Sequence, residues 1–355
     1  MTSDHRPKTH ETPVARSSNG CAGMADSHTT HDQPTGSPQK LMERVRHAIR
    51  LRHYSHRTEE AYVYWIRRYI VFHRKQHPSA LGAPEVSAFL EWLAVRQAVS
   101  ASTQNQALCA LLFLYREVLR HDIGTIQQVP RARTPTRLPV VLSRDEVGRI
   151  LKPLTGVPWI IVALLYGAGL RLQDALELRV KDVDFDLNQI VVRRGKGQKD
   201  RRTMLPALVK ERLRAHLADV KQQHERDLAA GVGRAVLPFA LDRKYPAAST
   251  EWKWQFVFPA ARICRDGRWG PPSRFHLHES VVQKALAGAA RAAGITKLLG
   301  PHTMRHCFAT HLLEDGYDIR TVQELLGHAD VSTTMVYLHV LNRGALGVRS
   351  PLDRQ

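Results

Sequence analysis

Residues 301–337 read PHTMRHCFATHLLEDGYDIRTVQELLGHADVSTTMVY and show the helical character of the second half of the chain. Apolar residues recur in this stretch at helical spacing, and Gly327 has the position of a glycine at a helix end. The pattern predicts three helices, over 303–315, 318–326 and 331–340. A turn that carries His328 is expected between the last two.

Polar side chains occupy the ends of these helices. His302 and Arg305 follow Pro301 and are one helical turn apart, so both face one side of the helix N-terminus, where the dipole favours an anion. Tyr337 lies nine residues after His328. An arginine fork binds two phosphate oxygens at once, so this group of side chains suits a phosphate.

The preceding residues extend the same domain, predicted over 140–355. Ser143 and Glu146 form a capping box, and the apolar helix Trp159–Tyr166 ends before Gly169, with a new helix near Arg171. Two strands, 189–193 and 202–205, flank a turn that holds Lys196. Two further helices, 206–230 and 279–293, lie before and after residues 231–278. The predicted fold class is therefore mainly α with a small antiparallel β-sheet (α+β).

The first 139 residues contain three segments. Residues 1–38 lack an apolar period and are rich in Ser, Thr, His, Pro and Gly, which predicts a disordered tail. Residues 39–126 show four helical apolar patterns, the fourth with Ser102 as its N-cap, which predicts a helical bundle. Residues 127–139 form a basic, proline-containing linker. Its arginines either follow a DNA backbone or are simply solvated, and the sequence favours neither.

The charge indicates the class of partner. Lys and Arg total 52 against 33 Asp and Glu, which gives a net charge of +19 and a pI near 10.2. The first 37 residues hold three basic and four acidic residues, so the excess lies in the folded part. This field attracts polyanions, nucleic acid above all, although ribosomal and membrane-surface proteins share it.

Other compositional features suggest location and redox state. No apolar run is long enough for a membrane span and the start lacks a signal core, so we expect a soluble cytoplasmic protein. Four scattered cysteines suggest neither disulfides nor a zinc ribbon.

Transfer of a DNA phosphodiester needs cationic groups around the phosphate, a nucleophile, and a proton for the leaving 5′ oxygen. The second domain offers Arg171, Lys196 on a hairpin tip, the pair His302 and Arg305, His328, and Tyr337. Each motif alone occurs often by chance, and a single tyrosine on an apolar face is usually part of a core. The whole ordered set favours catalysis.

This order resembles the active site of tyrosine recombinases, and more closely that of integron integrases. Supporting phrases are Leu138-Pro-Val-Val-Leu142, Leu178-Arg-Val-Lys-Asp182 and Gly316-Tyr-Asp-Ile-Arg-Thr-Val322, and the resemblance covers about residues 39–353. It implies an N-terminal helical core-binding (SAM-like) bundle and a C-terminal catalytic domain that close as a C-shaped clamp on DNA.

The resemblance also implies roles for individual residues. Arg171 and Arg305 clamp the scissile phosphate, Lys196 protonates the leaving oxygen, and Tyr337 attacks. His302 acts in proton transfer, and His328 helps to hold the phosphate. No cofactor and no metal are implied. Four protomers would assemble on two DNA sites in a bacterial cytoplasm at the nucleoid, with the stretch from Val340 to Gln355 packing onto a neighbour.

An insertion near 231–278 (the insertion segment) resembles an element specific to integron integrases. In that family it recognises bases that protrude from a folded single strand, and such bases stack on aromatic faces at about 1–3 kcal/mol each. The candidate DNA contacts in the insertion segment are Trp254, Arg274, Phe275 and His276. A fifth candidate, Lys199, lies on the hairpin. Alternatively Trp252, Trp254, Phe256 and Phe258 alternate as a buried strand, which is the favoured interpretation for the two phenylalanines.

Two positions depart from the family pattern. Phe275 stands where a second histidine is frequent, which puts base preference there in doubt. Asp174 stands three residues after Arg171, where glutamate is more usual, and should still face that arginine across one helical turn.

Other functions remain as alternatives. A Xer-like or phage-type recombinase would act on duplex sites, a non-catalytic DNA-binding protein would keep only the fold, and a metal nuclease would be inhibited by chelators. A zinc site at His302, His306 and His311 is disfavoured because it lacks a carboxylate or cysteine partner.

Overall fold

The computed structural model describes residues 40–121, 123, 139–193, 200–238, 241–265, 270–328 and 330–337. The chain divides into two compact units, Met1–Pro135 and Thr136–Gln355. The predicted tail, all of the predicted linker except Pro139, and the C-terminal stretch from Val340 onward lie outside the described residues. Within the described ranges, no helix is both long and apolar enough to cross a membrane.

The first unit contains the four predicted helices. They are α1 Leu41–Leu51, α2 His56–Phe72, α3 Ala83–Val95 and α4 Ala101–Phe113, and a π-helical turn, Leu114–Leu119, continues α4. The predicted N-cap Ser102 is wrong. Ser100 caps α4, because its hydroxyl is placed to accept the Thr103 N–H, and Ser102 already lies in the first turn.

The core of this unit includes a buried polar pair. The hydroxyls of Tyr69 and Tyr115 are 2.8 Å apart, and the Tyr115 hydroxyl also donates to the Pro78 carbonyl at 3.1 Å. Both tyrosines are fully buried among apolar side chains of α2, α3 and α4. These hydrogen bonds satisfy hydroxyls that would otherwise destabilise the interior.

The second unit is mainly helical, as predicted. Its helices are α5 Arg144–Leu151, α6 Gly156–Gly167, α7 Leu172–Leu176, α8 Ala207–Ala229, α9 Leu241–Lys244, α10 Glu279–Ala292, α11 Pro301–Glu314, α12 Ile319–Leu326 and α13 Ser332–Met335. The predicted helix 331–340 is therefore shorter within the described residues, and its last three residues lie outside them.

Helix α6 forms the centre of this unit. Every residue from Trp159 to Leu165 is buried, and the helix packs against α8, α10 and α11. A helix that is apolar all round is stable only inside a domain, and α5 and α7 also pack against α6. This arrangement holds α11, which carries His302 and Arg305, against the core.

A small sheet lies beside these helices. Its strands β1 Val183–Asp184, β2 Gln189–Val192 and β3 Arg201–Met204 are antiparallel in the order β1-β2-β3, and Ile190 pairs with Thr203. The two longer strands confirm the predicted hairpin. Its turn, residues 194–199, lies outside the described residues. Strand β1 was not predicted, because two residues are too short to show alternation.

The insertion segment packs onto this unit through turns and isolated backbone pairings. Phe256 and Phe258 are buried, as predicted, but they do not belong to a regular strand. The Val257 N–H donates to the Leu178 carbonyl at 2.8 Å. Trp252–Trp254 form a 3₁₀ turn, so the alternating strand is wrong for the two tryptophans.

Candidate active site

Arg305 lies at the centre of the candidate site and is almost fully buried, with 3% of its surface exposed. Its Nη1 donates to the Gly169 carbonyl, and its Nη2 donates to the Leu326 carbonyl at 2.6 Å. Burial, opposed only in part by Asp174, lowers the pKa of Arg305 to about 9, which still leaves it charged at neutral pH. The two carbonyls fix the direction of the guanidinium.

Two glycines allow these carbonyls to approach. Gly169 has φ +62°, and an added Cβ would overlap the ring of Phe308. Gly327 ends α12 with φ +64°, and its added Cβ would lie 2.5 Å from the Cδ atom of Arg201. Glycine adopts this left-handed conformation without strain, so the sequence can bring both loops against α11.

His328 joins Arg305 to helix α13. Its Nε2 lies 3.2 Å from Arg305 Nη2, and its Nδ1 lies 2.9 Å from Thr334 Oγ1. Burial, together with the charges of Arg305, Arg171 and Arg201, lowers the pKa of His328 to about 4. The ring is therefore neutral at neutral pH.

Arg171 is the N-cap residue of α7, and its side chain is half-buried. Its Nη1 lies 3.6 Å from Asp174 Oδ2, so Asp174 does face it across one helical turn. The same Nη1 atom is buried and has no hydrogen-bond partner among the described residues. A buried guanidinium donor without a partner is unusual, and a bound anion would satisfy it.

Arg201 completes this charged network and was not predicted from the sequence. It lies on β3, and its Nη2 forms a 2.8 Å ion pair with Asp174 while its Nε donates to the Leu325 carbonyl at 3.1 Å. Asp174 thus lies between two arginines. Its negative charge offsets part of the repulsion among Arg171, Arg201 and Arg305.

Tyr337 lies near this network with only 3% of its surface exposed. Its ring packs with Phe308, Leu313, Val322 and Leu326, and it stacks on His328 at a centroid distance of 6.4 Å. Burial raises the pKa of the Tyr337 phenol, and the charges of Arg305 and Arg171 oppose this shift. The phenol is therefore protonated at neutral pH and within electrostatic reach of both arginines.

His306 is the second residue that the sequence did not identify as part of the site. Its Nδ1 lies 2.9 Å from the Tyr337 hydroxyl. His302, the second residue of α11, is exposed at the start of the helix, and partial desolvation followed by the charges of Arg305 and Arg171 lowers its pKa. The described structure thus brings together five of the six predicted site residues, and Lys196 lies outside the described residues, as does Lys199.

The predicted contacts of the insertion segment have partners inside the protein. Arg274 forms a close ion pair with Asp227 at 2.5 Å, and Phe275 packs edge-on against Phe256. His276 Nδ1 lies 2.8 Å from the Leu277 carbonyl. Trp254 lies beneath the ammonium of Lys181, which is 3.7 Å from its ring centre. Arg274 therefore has a structural role, whatever it contacts outside the protein.

Two of the three histidines of α11 have separate hydrogen-bond partners. His306 contacts Tyr337, whereas His311 contacts the Tyr166 hydroxyl and the Leu142 carbonyl, each at 2.9 Å. Among the described residues, no three His, Cys, Asp or Glu side chains are placed to hold a metal ion.

Comparison with known proteins identifies the family. Residues 141–343 match the model of the Phage integrase family, and residues 41–125 match the model of the phage integrase N-terminal SAM-like domain. The chain belongs to the phage integrase family. It is a tyrosine-type site-specific recombinase, with an N-terminal SAM-like domain and a C-terminal catalytic domain.

Curated relatives agree with this assignment. The chain is 51% identical to an "Integrase/recombinase" of Escherichia coli over 314 residues, which is 88% of this chain and 93% of the relative. It is 31% identical to tyrosine recombinase XerA of Thermococcus kodakarensis over 306 residues, or 85% and 92% of the two chains.

Solved structures show the same fold. The XerH recombinase bound to a palindromic difH substrate matches with a TM-score of 0.56 at 20% identity, over 89% of this chain and 85% of XerH. A lambda integrase dimer bound to a core site matches with a TM-score of 0.54 at 18% identity, over 86% and 96% of the two chains.

Proposed function

We propose that this recombinase cleaves and rejoins DNA with Tyr337 as its nucleophile. One observation carries the proposal: the Nη1 atom of Arg171 is buried and has no hydrogen-bond partner among the described residues. Arg305 is buried nearby with its own orientation fixed, and both arginine charges act on the Tyr337 phenol. A phosphodiester oxygen on Arg171 would complete the hydrogen bonding of this arginine and bring phosphorus towards the phenol.

The chemistry follows from these groups. The Tyr337 oxygen attacks phosphorus, the bond from phosphorus to the 5′ oxygen breaks, and a 3′-phosphotyrosyl link forms. Lys196 protonates the departing 5′ oxygen, and a 5′ hydroxyl of a second strand later reverses the steps. Arg171 and Arg305 stabilise the added charge of the transition state, His302 assists proton transfer, and His328 holds Arg305 in place.

We also propose the finer function of an integron integrase, which integrates and excises gene cassettes. It would recombine two DNA sites, one a folded single strand and the other a duplex. Four protomers would form the working assembly. The support is the sequence resemblance of the insertion segment, in which Trp254, Phe275 and His276 are candidate contacts for extruded bases. Lys199 and Arg274 are the other candidate contacts to DNA.

A second candidate is a Xer-like recombinase that acts only on duplex sites. The identity of 31% to XerA favours it as a specific alternative. The two candidates share the tyrosine chemistry and differ in the form of the DNA. They are therefore separated by the substrate and not by the active site.

A covalent-trapping gel tests both the tyrosine chemistry and the form of the DNA substrate. The probes are two labelled pools with random core sequences, one of nicked duplexes and one of single strands that fold into hairpins. A nick lets the cleaved fragment diffuse away, so that the protein–DNA adduct accumulates. We expect a slow, protease-sensitive band that persists in chelator for the wild type and is absent for Tyr337→Phe, whereas binding in a gel shift remains.

The outcomes separate the candidates. A higher yield from the hairpin pool supports the integron integrase, and trapping only from the duplex pool supports the Xer-like alternative. DNA binding without any adduct from either pool would favour a non-catalytic DNA-binding protein. Cleavage that requires a divalent metal and leaves no adduct would favour a metal nuclease.

A further inference from the structure

The contact between His306 and Tyr337 joins the candidate nucleophile to a titratable ring. His306 Nδ1 lies 2.9 Å from the Tyr337 hydroxyl, with the ring centroids 5.5 Å apart. His306 follows Arg305 directly on α11, so the residue that anchors the site also fixes the backbone that presents this ring. The contact spans 31 residues and brings the end of the described chain onto α11.

The protonation states give this hydrogen bond a direction. Burial and the charges of His302 and Arg305 lower the pKa of His306 to about 4, so its ring is neutral at neutral pH. Burial raises the pKa of the Tyr337 phenol, so the phenol keeps its proton. The Tyr337 hydroxyl therefore donates and His306 Nδ1 accepts, with the ring hydrogen of His306 on Nε2.

We infer that His306 is a further catalytic residue, whose Nδ1 takes the phenolic proton of Tyr337 as the phenol oxygen attacks phosphorus. The inference rests on the proposed function, because it requires Tyr337 to be the nucleophile. It assigns the proton of the phenol to His306, the histidine that contacts the Tyr337 hydroxyl, in place of His302, to which the family resemblance gives proton transfer. The ring lies within the distance from which a general base takes a proton, and it is already aligned on the reacting oxygen.

The step balances in both directions. The O–H bond of Tyr337 breaks and an N–H bond forms on His306, while the phenol oxygen bonds to phosphorus and the bond to the 5′ oxygen breaks. Lys196 gives its proton to that oxygen. On rejoining, the incoming 5′ hydroxyl returns a proton to Lys196, and the departing phenol oxygen recovers its proton from His306.

The other histidine that stacks on Tyr337 is not available for this role. His328 has Nε2 on Arg305 and Nδ1 on Thr334, so neither nitrogen has a free lone pair directed at the phenol. A bound phosphodiester also strengthens His306 as a base. Its negative charge offsets that of Arg305, one of the charges that lower the pKa of His306.

The experiment compares His306→Asn with the wild type on a nicked duplex recovered from the wild type's own adducts in the random pool. Asparagine can place an acceptor oxygen near the position of Nδ1 but cannot take up a proton. We expect adduct formation in single turnover to slow by about 10²–10⁴-fold, the range of general base catalysis. DNA affinity and melting temperature should stay close to those of the wild type. His306→Gln replaces this variant if the latter does not fold.

A second measurement separates proton transfer from positioning. Replacing Tyr337 by 2,3-difluorotyrosine lowers the pKa of the phenol, which reduces the need for a base. The rate difference between the wild type and His306→Asn should then shrink by at least about tenfold. A positioning role alone would leave the difference unchanged.

The results distinguish this inference from the proposed function. If the wild type forms adducts and His306→Asn reacts within about threefold of its rate, or if fluorination leaves the difference unchanged, His306 is not the base, whereas Tyr337 remains the nucleophile. If the wild type forms no adduct from any pool, the proposed function fails first.

Discussion

Arg305 sets the tautomer of His328. Arginine can only donate, so the 3.2 Å contact from Arg305 Nη2 requires His328 Nε2 to accept. The single hydrogen of the neutral ring is then on Nδ1, which donates to Thr334 Oγ1 at 2.9 Å. This chain of hydrogen bonds connects α11 to α13, the helix that leads into Tyr337.

Thr334 should therefore matter although it is remote in sequence from Arg305. Thr334→Val removes the acceptor of His328 Nδ1 in a fully buried position, and an unsatisfied buried donor costs about 1–3 kcal/mol. We expect a loss of that size in the free energy of unfolding, measured with urea, and slower adduct formation. Thr333→Val changes an exposed neighbour and should stay within about 0.5 kcal/mol. Equal effects of the two variants would refute the role of Thr334.

Asp174 should stabilise the fold through its buried ion pair with Arg201. Asp174→Asn leaves the charge of Arg201 without its carboxylate partner, and breaking such a pair costs about 3–5 kcal/mol. Asp145→Asn is the matched control, since Asp145 also lies in a first helical turn and pairs with Arg149 but is exposed. We expect it to change the free energy of unfolding by less than about 1 kcal/mol. Similar losses in urea denaturation would contradict a special role for the buried pair.

The parts of the site with local sequence signals could be predicted. The spacing of His302 and Arg305 at a helix start, the glycine before His328 and the position of Tyr337 all follow from helical periodicity and end signals. Arg171 could be placed at the start of α7 in the same way.

The remaining contacts depend on tertiary packing. Arg201 reaches Asp174 from a different element, and nothing in the local sequence of β3 distinguishes it from Arg202. His306 was considered only as a metal ligand, because its partner lies 31 residues away. Trp252–Trp254 form a turn although they alternate with Phe256 and Phe258. The Trp254 N–H donates to the Glu251 carbonyl and the Gln255 N–H to the Trp252 carbonyl, and these local hydrogen bonds replace strand pairing.

Gly169 should not tolerate a side chain. Gly169→Ala adds a Cβ at φ +62°, which costs about 1–2 kcal/mol, and that Cβ also overlaps the Phe308 ring. We expect a loss in the free energy of unfolding above this value and a slower reaction, because the Gly169 carbonyl holds Arg305. Gly148→Ala, in the open interior of α5, should instead stabilise by about 0.5–1 kcal/mol. The same sign for both variants in urea denaturation would be inconsistent with this explanation.

His306 and His328 should make the fold sensitive to acid. Both have pKa values lowered from 6.5 to about 4, so unfolding takes up protons on them between these pH values. A lowered histidine pKa contributes stability that is fully present above pH 6.5 and is lost as the pH falls towards 4. Each group adds up to about 1.4 kcal/mol per pH unit to the slope of stability against pH within this window.

The double variant His306→Asn with His328→Gln measures that contribution. Neither replacement titrates, so its free energy of unfolding should fall less steeply between pH 6.5 and pH 4 than that of the wild type, although it starts lower at pH 7. Aspartates and glutamates titrate in both proteins, so the difference between the two curves isolates the histidines. Parallel curves from urea denaturation at successive pH values would mean that the two rings are protonated equally well in the folded and unfolded states.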